Sequence, residues 1–247
     1  MTRAENIAQV LAATGFVTSS LTYALFADPA PSEGMGAPAP VMRPGFPAEP
    51  VAGGPFDLAR LYLQPDNVVM FLLLLSLWLM LVLDAIGNTV EPYRGHGRVT
   101  PALVIALLSG AAWPWVMDLF RVLGAGLAVT MMIAALLAAR RMAGVNRPAI
   151  GFLAGWSTGI AVAVVAGMIA ALFGLRLSDT AALAILPSAL IAILLQGRIG
   201  RAVSYTVALI WAFCGVAATT MGSNPMVALA AILGIAALST VLVRAAS

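Results

Sequence analysis

The chain has no lysine, one cysteine and one histidine, and only 9% of its 247 residues are charged. Each shortage removes a class of function. Ordinary soluble domains carry about a quarter charged residues, so a chain this poor in charge cannot clothe itself in a water-facing surface. The single thiol, Cys214, lies in an apolar run; it has no partner for an intramolecular disulfide and excludes a zinc site built on several thiolates. The only histidine, His96, stands in the loop Glu91-Pro92-Tyr93-Arg94-Gly95-His96-Gly97-Arg98 with no nucleophile or metal partner nearby, and is read as a solvated loop residue. There is no P-loop, no His-Glu-x-x-His run and no Gly-x-Ser-x-Gly elbow, so catalysis is not expected and no cofactor or metal is required. All thirteen basic residues are arginines scattered through short loops, which leaves no nucleic-acid footprint.

What the chain has instead is apolar length. Hydrophobic residues make up 62% of it, and runs of roughly 17 to 25 residues, enough to cross about 30 Å of hydrocarbon, recur from Asn67 onward. The runs are continuous rather than alternating, which predicts helices and not a membrane barrel. The expected fold is an all-α polytopic bundle of eight spans, at about 5–27, 67–89, 101–119, 122–141, 149–175, 180–197, 202–221 and 225–244. The organisation follows: a first transmembrane helix in 1–27, a Pro/Gly-rich loop in 28–66 that holds nine of the fifteen prolines, and a membrane bundle in 67–247. The end of that loop, Phe56-Asp57-Leu58-Ala59-Arg60-Leu61-Tyr62-Leu63, is read as a short amphipathic turn on the membrane surface.

Arginine sets the orientation. With the N-terminus inside, nine arginines (Arg3, Arg94, Arg98, Arg140, Arg141, Arg147, Arg198, Arg201, Arg244) fall on one side and four (Arg43, Arg60, Arg121, Arg176) on the other, which places both ends inside. The first span is interrupted by Gln9, Thr14, Thr18, Ser19 and Ser20, and Leu25-Phe26-Ala27 loosely resembles a signal cleavage site; removal would leave seven spans in the same orientation. Arginine without lysine and heavy use of alanine fit a GC-rich bacterial genome, hence a multi-pass protein of a bacterial inner membrane.

Three features inside the spans bear on function. Asp84 is the charge most clearly inside a span, about four residues from its inner end where water reaches it. Asp118 sits at a span end and can pair with Arg121 across a turn; both acids are read as structural. Gly151, Gly155, Gly159, Ala163 and Gly167 recur every fourth residue and give the fifth span a face without bulk, either for central packing or for a homodimer or complex partner. Tryptophan is placed unusually deep. Membrane proteins concentrate it at the water interfaces, yet Trp78 and Trp211 fall near mid-span and Trp113 roughly 18 Å from its inner end. Such rings either fill a core or line a pocket for a flat apolar ligand, with indole N–H groups as polar handles. Trp113 and Trp115 flank Pro114 and point about 200° apart on a helix, so one faces inward and the other outward.

These tryptophans carry a resemblance. Leu75-Ser76-Leu77-Trp78, Gly110-Ala111-Ala112-Trp113, Arg147-Pro148 followed by Gly155-Trp156, and Trp211-Ala212-Phe213-Cys214-Gly215 occur in the order of the conserved patterns in the longer relatives of the TspO/MBR family, the tryptophan-rich sensory and translocator proteins. Val82 stands where that family has a tyrosine, and the asparagine of its Asn-x-x-Trp is absent. The resemblance implies a five-helix core extended by further spans. It also implies non-enzymatic binding, sensing or translocation of tetrapyrroles such as protoporphyrin and haem, or of sterol-like lipids. The ligand residues would then be Trp78, Trp113, Trp115, Trp156 and Trp211, with Arg121 or Arg60 facing the propionates; Trp113, which matches the family pattern, is the expected inward ring. The rival readings are an accessory subunit of a larger membrane complex, docked through the Gly151-to-Gly167 face, and a small secondary transporter.

Overall fold

A computed structural model of the chain describes residues 3–26, 59, 61–65, 67–90, 100–142, 147–175, 177–199, 203–222 and 225–246. Among these residues there are eight helices and no strands: α1 (Arg3–Phe26), α2 (Val68–Val90), α3 (Thr100–Leu119), α4 (Arg121–Arg141), α5 (Pro148–Phe173), α6 (Leu177–Ile199), α7 (Val203–Thr220) and α8 (Pro225–Ala246). All eight contain a stretch long and apolar enough to cross a membrane. The protein is a polytopic helical membrane bundle.

Local chemistry fixes the ends. Phe120 alone separates α3 from α4; its backbone leaves the helical region at φ −138°, ψ 89°. The junction closes because Gly124 has no side chain, and a Cβ there would fall 2.5 Å from the Cα of Met117. Asn67 caps α2 by accepting the Met70 backbone N–H at 2.8 Å, and its amide donates to the Gly215 carbonyl at 3.1 Å and to Thr219, so the same residue starts α2 and ties it to the end of α7. Pro148 opens α5, where a missing N–H costs nothing, and Gly174 ends it in the left-handed conformation at φ 61°. Pro114 and Pro187 lie inside α3 and α6, and both helices run through them.

The centre of the bundle is α5, which packs on α2, α4, α6 and α7. Nearly every residue from Ala149 to Gly167 is buried, so this helix is apolar on all sides. Its glycine face is used within the chain. Cβ atoms at Gly151, Gly155 and Gly159 would fall 2.3 Å from Ser204 Oγ, 2.3 Å from the Tyr205 carbonyl oxygen and 2.8 Å from the Tyr62 hydroxyl oxygen, while Ala163 and Gly167 are buried on the same helix. The start of α7 and the residue Tyr62 thus occupy the stripe at Gly151, Gly155 and Gly159. Across this contact Tyr205 and Thr158 bring their hydroxyls to 3.5 Å, and Thr206 donates to Gln196 of α6 at 2.6 Å.

Tyr62 corrects the surface-turn expectation. Ala59, Tyr62 and Leu63 are buried in the core, with the Tyr62 ring against the middle of α5. The described part of the segment is a wedge entering the bundle. Phe56, Asp57, Leu58 and Arg60 lie outside the described residues. Burial pushes the Tyr62 phenol above its ordinary range, which keeps it a neutral hydroxyl.

The first span is an integral part of the bundle. α1 packs on α2 and α3 and buries Gln9, Ala12, Ala13, Phe16, Ser20 and Tyr23. Three of the polar residues that interrupt its hydropathy, Gln9, Ser19 and Ser20, are attachment points, as the hydrogen bonds below show.

The glycine contact gives a stability prediction. Gly155→Ala forces a Cβ against backbone and should destabilise the protein by about 1–3 kcal/mol, read as a lower midpoint of thermal unfolding in detergent. Gly126→Ala, where nothing lies within 4 Å, should be neutral or slightly stabilising. Equal midpoints for the two variants would contradict the close approach of α5 and α7.

Candidate functional site

The five tryptophans divide by what their indole N–H groups meet. Trp78 of α2 donates to Ser20 Oγ of α1 at 2.8 Å, and Ser20 passes its own proton to the Phe16 carbonyl at 2.7 Å. Trp115 donates to Ser19 Oγ at 2.9 Å, and Ser19 donates to the Ala111 carbonyl at 2.7 Å. The Trp115 ring also meets Tyr23 edge-on with centroids 5.3 Å apart, and the Tyr23 hydroxyl donates to Asp118 at 3.2 Å. Trp211 of α7 donates to the Val69 carbonyl at 3.0 Å and meets Phe152 edge-on. These three rings are fastened to protein.

Trp113 and Trp156 are different. Trp113 is 3% exposed and Trp156 wholly buried, and neither indole N–H has a hydrogen-bond acceptor among the described residues. Leaving a buried donor unpaired costs about 1–3 kcal/mol. A phenylalanine at either position would supply an aromatic ring without that cost, so the indoles call for a reason beyond filling space.

One side chain, Phe16, lies against Trp156 and on the helix that carries Trp113. Phe16 of α1 meets Trp156 edge-on with centroids 5.7 Å apart and 89° between planes. The Phe16 ring also lies on Gly110 of α3, where a Cβ would fall 2.7 Å from Phe16 Cε2 and 2.8 Å from Met131 Sδ of α4. Trp113 is three residues beyond Gly110, about 4.5 Å along α3 and within about 60° of the same face. The candidate site is therefore Phe16, Gly110, Trp113, Met131 and Trp156, at the meeting of α1, α3, α4 and α5. Of the expected ligand residues, Trp156 lies against Phe16, and Trp113 is one turn beyond the Gly110 on which Phe16 rests. Trp78 and Trp211 are occupied in helix contacts, and Trp115 is 41% exposed. Pro114 thus separates an inward ring from an outward one. Arg121 opens α4 at an exposed position, and Arg60 and His96 lie outside the described residues.

A second polar feature lies nearer the arginine-rich end. The Arg147 guanidinium forks onto both oxygens of Asp84, with Nε to Oδ1 at 2.8 Å and Nη2 on Oδ2. The Gln9 amide donates to Asp84 Oδ2 at 3.1 Å, and the Asn88 amide donates to Gln9 Oε1 at 3.0 Å and to Asn6 at 3.3 Å. Side-chain exposures are 2% for Arg147 and 11% for Asp84, so arginine and not water compensates the acid. Sequence reasoning placed Arg147 in a loop and Gln9 among reasons to doubt the first span. The available signal was that a carboxylate six residues inside α2 demands a cation from another helix start. Among the described residues no three His, Cys, Asp or Glu side chains gather as metal ligands.

This pair joins α1, α2 and α5 and has a test. Asp84→Ala strands a buried guanidinium and should cost about 3–5 kcal/mol in unfolding, whereas a double Asp84→Leu, Arg147→Leu variant should lose much less, because the charges are removed together. Additive losses in that double-mutant cycle would show that the two groups do not depend on each other.

No family model, curated protein or solved structure matches this chain.

Proposed function

We propose that this is a non-enzymatic integral membrane protein that binds a flat hydrophobic ligand in the region of Phe16, Trp113 and Trp156. The observation that carries the reading is the pair of unpartnered indole N–H groups in an otherwise apolar, close-packed region. A ligand entering there takes the place of the Phe16 ring against Trp156, with flexible Met131 adapting to its outline, and relieves the cost of both donors. The resemblance to the TspO/MBR family favours tetrapyrroles such as protoporphyrin and haem, or sterol-like lipids, as the ligand class. It also favours sensing or translocation as the use to which binding is put. The arginine distribution supports an inner-membrane orientation with both ends inside.

Binding is tested on the purified full chain in detergent, titrated separately with protoporphyrin and with dehydroergosterol while intrinsic tryptophan fluorescence is followed. Saturable quenching or energy transfer at micromolar concentration with either ligand is expected. It should weaken about tenfold in Trp113→Phe or Trp156→Phe, because each removes one hydrogen-bond donor. Trp211→Phe, whose donor is already used by Val69, should leave the affinity unchanged. Linear, unsaturable signals from both ligands, equal in every variant, would mean that all five rings are packing.

A further inference from the structure

Two donors without acceptors say more about a ligand than that it is flat. An indole N–H can only donate, so a molecule that satisfies Trp113 and Trp156 must bring acceptor atoms. It must also bring no charge. Among the described residues the only buried cationic side chain is Arg147, and both oxygens of Asp84 already take its guanidinium. A carboxylate carried into the core around Phe16 would meet no available cation among the described residues, and an unpaired ion in such surroundings is costly. The side chain that a ligand would replace, Phe16, is a planar six-membered ring held edge-on to Trp156 and laid against Gly110. Planarity, neutrality, ring size and two acceptors together describe one chemical type.

Resting on the binding reading above and narrowing it, we propose that the site takes a quinone-type ring, whose two neutral carbonyl oxygens accept the indole N–H groups of Trp113 and Trp156 while its face replaces that of Phe16. Carbonyl oxygens are good acceptors with little of the desolvation cost of a carboxylate, and a quinone dissolves in the bilayer from which this site must be filled. The anionic propionates of a tetrapyrrole would have to remain outside the core, at a bundle end. The proposal concerns binding alone and requires no electron transfer.

The probe is duroquinone, whose four methyl groups suppress addition of the Cys214 thiol, set against durene, the same methylated ring without oxygens. Duroquinone is titrated into the detergent-solubilised full chain while tryptophan fluorescence is read, and durene and protoporphyrin are tried as competitors. Saturable quenching is expected, with affinity falling about tenfold in Trp113→Phe and in Trp156→Phe, and with durene at least tenfold weaker as a competitor. Phe16→Ala reports on the site independently of the donors, since it changes the space and leaves both N–H groups. If Phe16→Ala alters binding, yet durene equals duroquinone and the two Trp→Phe variants bind as well as the parent, the quinone inference fails and the hydrophobic site stands. If protoporphyrin binds saturably with loss in the Trp→Phe variants and duroquinone does not bind, the quinone inference fails and the broader reading stands. If neither these probes nor dehydroergosterol binds saturably, both fall.

Discussion

The close approach of α7 and Tyr62 to the glycine face of α5 is the contact on which the remaining arrangement rests. In lipid there is little hydrophobic gain from bringing two apolar helices together, so association depends on dispersion contacts and on hydrogen bonds that short distances allow. Gly151, Gly155 and Gly159 leave backbone where side chains would stand, and Ser204, Tyr205 and Tyr62 fill that room. With one side of α5 settled against α7, its other sides meet α2, α4 and α6, and the chain closes around a single buried helix. Tyr62 extends the same contact into the segment before α2, so the end of the Pro-rich region is anchored in the core.

Around that centre α1 is attached by a different means. Its residues interrupt an apolar run with amides and hydroxyls, and these find partners on two other helices, α2 and α3: Gln9 on Asp84, Ser19 on Ala111 and Trp115, Ser20 on Trp78, Tyr23 on Asp118. The Trp78–Ser20 bond is buried, so leaving it unmade would cost more than at a wet surface. The same helix delivers Phe16 to Trp156. Attachment by polar groups and delivery of the ring at the candidate site are therefore properties of one helix, and anything that shifts α1 changes access to both unpaired indoles.

The two polar features of the interior are built on opposite terms. At the arginine-rich end, charge is fully matched: Asp84 takes a forked arginine and an amide, and Gln9 relays to Asn88. Around Phe16 charge is absent and two donors stand unmatched. A matched buried pair fixes how helices meet, whereas unmatched donors in apolar surroundings are what a neutral ligand would relieve. That contrast, more than the number of tryptophans, separates the structural site from the candidate binding site.

By itself the sequence determined the membrane class, the eight helices and nearly all their limits, because apolar length and low charge are local quantities that any window of residues reveals. It also exposed the glycine period of α5 and the opposed directions of Trp113 and Trp115, since both follow from helical geometry alone. What fills the glycine face, which cation meets Asp84 and which indoles remain without acceptors were decided only by tertiary structure. Gln9 and Asp84 are 75 residues apart, Trp78 and Ser20 58 apart, and Arg147 and Asp84 63 apart. Deep tryptophans look alike in a sequence. They become three fastened rings and two unpaired donors only when helices distant along the chain lie side by side and supply, or fail to supply, an oxygen within hydrogen-bond reach.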